Sequence, residues 1–165
     1  MFRHGLRAAI VVETWDRPHY SHFQLNNAPA NKPVILAFNN KNMGNLQVEI
    51  RNAKIEDAPD IASLSNQLGY QSSFAETTKR LKKILKSKEH AVYVACQING
   101  IIVGWIHVFS TLRVESDSFC EIGGLVVAEP LRGQGVGTEL LMAAQHWTEQ
   151  NGTSKLRVRS RIERT

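Results

Sequence analysis

Residues 125–138 read LVVAEPLRGQGVGT, and this stretch decides the fold. A hydrophobic run typical of a β-strand is followed by a turn containing Pro130, and then by Arg-Gly-x-Gly-x-Gly where a helical pattern begins. Glycines let the main chain approach a ligand closely, and a helix N-terminus directs several unpaired N–H groups at one place. Arg132 adds a guanidinium suited to phosphate oxygens. The stretch therefore predicts a pyrophosphate site built largely from backbone.

Two other phosphate-binding loops do not fit this sequence. A P-loop needs a Lys directly before its Ser or Thr, and Gly137 precedes Thr138 here. The dinucleotide fingerprint needs Gly-x-Gly-x-x-Gly, and here the third glycine comes one residue early. The whole unit of strand, Pro-containing turn, Arg-Gly-Gln-Gly-Val-Gly and helix instead resembles motif A of the GNAT superfamily of N-acetyltransferases, which binds the pyrophosphate of acetyl-CoA.

The resemblance implies that acetyl-CoA is the cofactor and that no metal is needed. It assigns the pantetheine arm and the thioester oxygen to backbone groups at the end of the strand, and the pyrophosphate to the loop and the first helical turn. The expected cofactor-binding residues are Leu125, Val126, Val127, Arg132, Gly133, Gln134, Gly135, Val136, Gly137 and Thr138.

The rest of the pattern predicts one α/β (α+β) domain with the element order β-α-α-β-β-β-α-β. Asp57 is a candidate N-cap for the first helix, Ser73 and Glu76 form a capping box for the second, and Asn99-Gly100 predicts a tight hairpin. Residues 111–117 read as a polar loop. The order matches a GNAT-like mixed central sheet flanked by helices. The family's last helix and two strands, and the Tyr that often protonates the CoA thiolate, have no counterpart in the sequence.

The first 45 residues lack any helical or alternating period. We therefore divide the chain into an irregular N-terminal extension, residues 1–45, and a GNAT-like acetyltransferase domain, residues 46–165. Lys and Arg outnumber Asp and Glu by 20 to 15, which gives a net charge of +5. This surplus suits a phosphate-rich cofactor better than nucleic acid, although a basic nucleic-acid-binding module stays an alternative.

The compartment expected from the sequence is the cytoplasm. No apolar run approaches the roughly 18 residues of a membrane span. The two cysteines, Cys96 and Cys120, fall inside predicted strands and read as buried reduced thiols. Because the final helix and hairpin are missing from the pattern, the last strand would keep an open edge, and a homodimer is one way to cover it.

Glu121 is the leading candidate for the catalytic base. It interrupts an otherwise apolar strand, where a carboxylate is costly unless it has a task. Six residues separate it from Val127, about 20 Å at ~3.3 Å per residue, which is comparable to the reach from the CoA pyrophosphate to the thioester. Members of the superfamily often place a catalytic Glu at this position. A surface ion pair is the other reading of Glu121, and His107 on the neighbouring strand is a rival base.

The acceptor is expected to be a small-molecule or peptide amine. Gly123-Gly124 suggests a β-bulge or a close approach of ligand. Tyr70, Phe74 and Trp105 are candidates for the acceptor pocket, with core packing favoured for Phe74 and Trp105. The predicted reaction is direct transfer of acetyl to a primary amine in a ternary complex. The alternative is a non-catalytic, acetyl-CoA-binding remnant of such an enzyme.

Overall fold

The computed structural model describes residues 47–67 and 73–158, and in this part the elements follow the predicted order. The predicted domain boundary near residue 45, and Tyr70, lie outside the described residues. The strands and helices are β1 (Val48–Asn52), α1 (Ala58–Asn66), α2 (Phe74–Ile84), β2 (His90–Gln97), β3 (Ile102–Arg113), β4 (Ser116–Val127), α3 (Val136–Gln150) and β5 (Leu156–Val158).

The five described strands form one mixed sheet in the order β1-β2-β3-β4-β5. Strands β1 to β4 are antiparallel neighbours, and β5 lies parallel to β4. A parallel neighbour requires a crossover connection, and α3 supplies it. The mixed sheet flanked by helices is the architecture expected from the sequence.

Each face of the sheet packs against its own helices. On the α3 face, Ile106, Val108 and Cys120 pack with Leu140 and Ala144 of α3. On the α1–α2 face, the sheet residues Val92, Val94 and Val126 pack with residues of α1 and α2, among them Ile61 and Leu81. Successive strand residues alternate between the two faces of the sheet. The face on which a polar strand residue lies therefore follows from the face of the core residues next to it in the strand.

Asp57 occupies the predicted N-cap position of α1, but its side chain makes no capping hydrogen bond to that helix. Its carboxylate instead accepts two hydrogen bonds from the Arg51 guanidinium, at 2.7 and 2.9 Å, and one from the Lys54 backbone N–H at 2.7 Å. A 3₁₀ turn, Ile55–Asp57, precedes α1, and the carboxylate caps the beginning of this turn at the Lys54 N–H instead. The carboxylate thereby joins β1 to the beginning of α1.

The capping box of α2 is confirmed. The Ser73 hydroxyl accepts from the Glu76 N–H at 3.3 Å, and the Glu76 carboxylate accepts from the Ser73 N–H at 3.4 Å. Phe74, for which core packing was favoured, is 56% exposed at the first position of this helix. The buried stripe of α2 is formed by Leu81, with Ile84 partly buried beside it.

The predicted loop at residues 111–117 is also wrong, because β3 and β4 continue through it. Thr111 is the partner of Phe119 and Arg113 is the partner of Ser116, so that only Val114 and Glu115 form the turn. Polar residues are compatible with a two-stranded ribbon that is open to solvent on both faces. The described parts of β2 and β5 end before this ribbon, which therefore extends past the sheet.

Candidate active site

The glycine loop turns the chain from β4 into α3 through two left-handed residues. Gly133 has φ +75° and Gly135 has φ +88°, and Gly135 is the residue that precedes α3. L-residues with a side chain rarely adopt this backbone conformation. Gly137 has ordinary helical φ, and a Cβ there would lie 3.8 Å from Cγ2 of Val127, an ordinary contact. The backbone conformation thus favours glycine at 133 and 135, but not at 137.

Six consecutive N–H groups, those of residues 133–138, have no backbone acceptor in the part of the chain that the structure describes. The next N–H, that of Glu139, bonds the Gly135 carbonyl at 3.1 Å and closes the first turn of α3. These donors lie at the positive end of a helix of 15 residues. Donors of this kind bind an anion without any charged side chain.

The side chains of the loop fold back onto the turn. Nε of Arg132 donates to the Val127 carbonyl at 3.1 Å, and Nε2 of Gln134 donates to the Pro130 carbonyl at 2.9 Å. Val136 is fully buried in the core, so only its backbone can reach a ligand. Thr138 is exposed at the helix N-terminus. The predicted cofactor residues 132–138 are therefore brought together around one group of N–H donors.

A bulge in β4 confirms the expectation from Gly123-Gly124. Ile122 is the partner of Val108 and Gly124 is the partner of His107, so Gly123 is an extra residue on β4. A Cβ at Gly123 would lie 2.7 Å from Nδ1 of His107, and a Cβ at Gly124 would lie 2.7 Å from Cη2 of Trp105. Both glycines are therefore required because aromatic rings of β3 lie directly against the backbone of β4.

The strand between the bulge and the loop has one open side in the described structure. The described pairing of β4 with β5 covers only Cys120 to Ile122. Leu125 and Val126 pair on the other side with β3, and Val126 is buried on the α1–α2 face. The backbone groups of residues 123–127 that point away from β3 thus lie on this open side, between the bulge and the glycine loop.

Glu121 is half-buried and lies on the α1–α2 face, two residues before the bulge. Its Cα partners are Phe109 on β3 and Arg157 on β5. Cys120, its neighbour in sequence, is fully buried on the α3 face. The alternation expected from the sequence is confirmed: Glu121 and Cys120 serve different sides of the sheet.

His107 lies on the same face as Glu121. Its Nε2 is 3.0 Å from Nδ1 of His90. Burial, and then the neighbouring His90, lower the pKa of His107 to about 4. The ring is therefore neutral around pH 7 and keeps one unprotonated nitrogen.

Comparison with known proteins agrees with this geometry. Residues 50–162 match the model of the Acetyltransferase (GNAT) family. The chain belongs to this family. It is 34% identical over 120 residues to an aminoglycoside N(6')-acetyltransferase type 1 of Stenotrophomonas maltophilia, covering 69% of this chain and 76% of that protein.

Two solved structures show the same fold. A GNAT family acetyltransferase of Staphylococcus aureus has a TM-score of 0.62 at 20% identity, covering 70% of this chain and 87% of its own. The aminoglycoside N-acetyltransferase AAC(6')-Iy, in complex with CoA, has a TM-score of 0.63 at 19% identity, covering 72% and 80%. The predictions of the superfamily, of an acyltransferase and of acetyl-CoA as the cosubstrate are confirmed.

The acceptor side of this GNAT chain is described only in part. The Trp105 ring lies over Gly124 and packs partly against the α1–α2 core, and its Nε1 is buried without an acceptor among the described residues. Sequence reasoning missed His90, because its pairing with His107 depends on the register of β2 against β3. Arg157 was missed for the same kind of reason, since its place beside Glu121 depends on the β4–β5 register.

Other functional centres receive no support from the described part of the GNAT domain. Its His, Cys, Asp and Glu residues form no group of three that could hold a metal ion. None of its helices is long and apolar enough to cross a membrane. Both cysteines are free and buried.

Proposed function

We propose that this chain transfers the acetyl group of acetyl-CoA to a primary amine by direct attack in a ternary complex. The observation that carries the proposal is the path along β4. Within the described residues, an acidic residue, a bulge, an open strand edge and six N–H donors without a backbone acceptor follow one another in that order. In this proposal the loop holds the pyrophosphate, residues 125–127 hold the pantetheine and the thioester oxygen, and Glu121 receives the amine proton.

The chemistry requires one proton to leave the site in each turnover. An alkylammonium and acetyl-CoA give an amide, CoA–SH and one proton. The ammonium has a pKa of ~10.4, so a base is needed at neutral pH. Glu121 removes that proton, the free amine attacks the thioester carbon, and a backbone N–H of β4 stabilises the oxyanion. The C–S bond then breaks, and the adduct's remaining surplus N–H proton goes to the departing sulfur.

Direct transfer is favoured over an acetyl-cysteine intermediate. Cys120 is sealed in the core on the face opposite Glu121, and burial raises the pKa of its thiol. Cys96 is also buried. Reduced buried thiols are in keeping with the cytoplasmic location that we infer.

We infer that the acceptor is a small-molecule amine, and the aminoglycoside acetyltransferase relative makes aminoglycosides the first class to test. The test is release of CoA–SH, measured with a thiol reagent, in the presence of acetyl-CoA and kanamycin, spermidine, glucosamine or a peptide with a free α-amine. Release that depends on one of these amines supports the proposal. Tight binding of acetyl-CoA without turnover on any amine would instead favour the non-catalytic remnant.

The cofactor loop has a matched control within the chain. Gly133 and Gly100 both have positive φ, +75° and +86°, and a Cβ at either meets nothing within 4 Å. Gly133→Ala and Gly100→Ala should therefore cost similar stability, about 1 kcal/mol. Only Gly133→Ala should weaken acetyl-CoA binding in calorimetry, by at least roughly tenfold. Equal affinity in the two folded variants would refute the assignment of the loop.

A further inference from the structure

Two histidines on the α1–α2 face are joined ring to ring beside the β4 bulge. His90 begins β2, His107 lies on β3, and Nδ1 of His90 is 3.0 Å from Nε2 of His107. Their ring centroids are 5.3 Å apart, and the Phe109 ring packs against both at 5.6 and 5.5 Å. Phe109 thus packs against both imidazoles beside their hydrogen bond.

The other nitrogen of His107 faces the bulge. A Cβ at Gly123 would be only 2.7 Å from Nδ1 of His107, so the extra glycine of β4 is what gives this nitrogen its position. Nδ1 has no hydrogen-bond partner within residues 47–67 and 73–158, and it is not among the polar atoms sealed from solvent there. His107 is therefore bonded at one nitrogen and open at the other, and the open nitrogen lies at the proposed site of acetyl transfer.

Glu121 lies on the same face of the sheet as that nitrogen. It is the cross-strand partner of Phe109, and His107 is the next β3 residue on the same face. Diagonal cross-strand neighbours lie roughly 7–8 Å apart, with their Cβ atoms somewhat closer, and the relay proposed below requires the Glu121 side chain or one water molecule to bridge this gap. The face thus presents one carboxylate and two half-buried imidazoles, those of His107 and His90.

We propose that His107 and His90 form a proton relay that carries to solvent the proton taken from the acceptor amine by Glu121. The proposal rests on the proposed function. The O–H bond of protonated Glu121 breaks and an N–H bond forms at Nδ1 of His107. At the same time the Nε2–H bond of His107 breaks and an N–H bond forms at Nδ1 of His90. His90, now an imidazolium, releases its Nε2 proton to water.

The reset of the relay balances in the same way. When product leaves and water enters the site, His90 takes a proton from water at Nε2 and returns its Nδ1 proton to Nε2 of His107. His107 then gives its Nδ1 proton to the water that has entered, and both rings are back in their resting tautomers. The concerted transfer suits a ring whose pKa is about 4, because His107 gives up its Nε2 proton as it takes one at Nδ1 and does not have to hold a positive charge.

Two substitutions of His90 separate a relay from a structural contact. His90→Leu removes the hydrogen bond, whereas the amide of His90→Asn can still accept from Nε2–H of His107 but cannot carry a proton onward. Both variants should lower turnover with acetyl-CoA and the most active amine of the panel by on the order of 10²-fold, the lower end for positioned proton transfer. Acetyl-CoA affinity should not change, and added imidazole should restore the rate in both.

The control is His146→Asn, since His146 lies on α3 and bonds Gln150 there. It should retain full turnover and show no response to imidazole. Wild-type turnover in His90→Asn, or loss of rate without rescue by imidazole, overturns the relay while leaving the proposed function intact. Full turnover in Glu121→Gln overturns instead the base on which the relay depends.

A spectroscopic measurement tests the relay without any acceptor. In protein labelled with ¹⁵N at histidine, the imidazole spectrum of the resting wild type should show His107 protonated at Nε2 and unprotonated at Nδ1. His90→Leu should lose this single tautomer, and His90→Asn should keep it. A proton on Nδ1 of His107 in the resting wild type overturns the proposal, because that nitrogen could not then receive one.

Discussion

At the scale of single residues, the site depends on the absence of a side chain at two glycines of β4. Gly123 and Gly124 make room for the rings of His107 and Trp105, and Gly123 is also the extra residue of the bulge. The sequence predicted the bulge from the glycine pair. It could not show which rings fill the space, because that depends on how β3 lies against β4.

Gly123→Ala should disturb the acceptor chemistry and leave the pyrophosphate site intact. The new Cβ would meet Nδ1 of His107 at 2.7 Å, so the ring must move away from the bulge. We expect turnover to fall by at least about tenfold, as misplacement of a reacting group usually causes. Calorimetry should show acetyl-CoA affinity close to that of the unmodified protein. Gly137→Ala is the converse control, because a Cβ there is tolerated by the fold but lies among the N–H donors proposed to hold the cofactor. It should weaken acetyl-CoA binding rather than the acceptor chemistry.

Glu121→Gln should lower turnover by ~10²–10⁴-fold, the usual worth of a general base, with acetyl-CoA affinity unchanged. The cofactor is held mainly by backbone groups, which this substitution does not alter. The deficit should shrink as pH rises, because more of the acceptor amine is then neutral without help. A pH–rate profile of kcat/KM measures this, and a deficit that stays constant up to the pKa of the amine would argue against Glu121 as the base.

At the scale of elements, most of the fold could be predicted because each helix and strand carries a local signal. The Ser73 capping box, the Asn99-Gly100 hairpin and the glycine loop were found from residue types at fixed spacing. The predictions that failed concern features that tertiary contacts decide. Asp57 has the right residue type for a cap but is bound by Arg51, and the polar residues 111–117 continue β3 and β4 because the two strands pair there.

The capping box gives a direct test of α2. Ser73→Ala removes the acceptor for the Glu76 N–H, and we expect the free energy of unfolding to fall by about 1 kcal/mol. Urea denaturation measures it. Thr78→Ala in the same helix is the control, because the exposed Thr78 hydroxyl only bonds a carbonyl, that of Phe74, which the helix already engages. Equal losses in both variants would mean that the cap adds nothing.

The Arg51–Asp57 pair should make stability depend on acid pH. Burial alone would raise the pKa of Asp57, but hydrogen bonds from Arg51 and from the Lys54 N–H outweigh it and hold the pKa below its usual 3.8. A depressed folded pKa contributes stability that is present above about 3.8 and is lost as pH falls through the folded value.

Asp57→Asn should therefore lower the free energy of unfolding by about 2 kcal/mol at pH 7, in the range for hydrogen bonds to charged groups. The difference from wild type should narrow below pH 4 in urea titrations. Asp117→Asn is the control, because Asp117 bonds Lys155 at 2.8 Å on the exposed ribbon, where screening by water leaves little stabilisation. A difference for Asp57→Asn that does not change with pH would contradict the assignment.

At the scale of the whole molecule, the two buried cysteines report on the integrity of the sheet. Cys96 and Cys120 are the only cysteines of the sequence, and both are buried. Thiolate is the reactive form, and burial raises the pKa of Cys120 further from neutrality. Native protein should thus react slowly with a thiol reagent and denatured protein should react rapidly at both positions. Rapid reaction of both in the native state would contradict the described core.

The sheet order has a consequence for how the molecule assembles. Strands β2, β3 and β4 are joined by short turns, so the contacts of this meander are local and can form early in folding, whereas β1 pairs with β2 across two intervening helices. We expect strand β5 to join last, because it is reached through a crossover that contains the whole glycine loop. A ligand that organises the crossover also reduces the chain entropy still to be lost when β5 docks. Acetyl-CoA should therefore slow hydrogen exchange at the β5 amides more than in the meander, acting as a late-stage folding partner as well as a substrate.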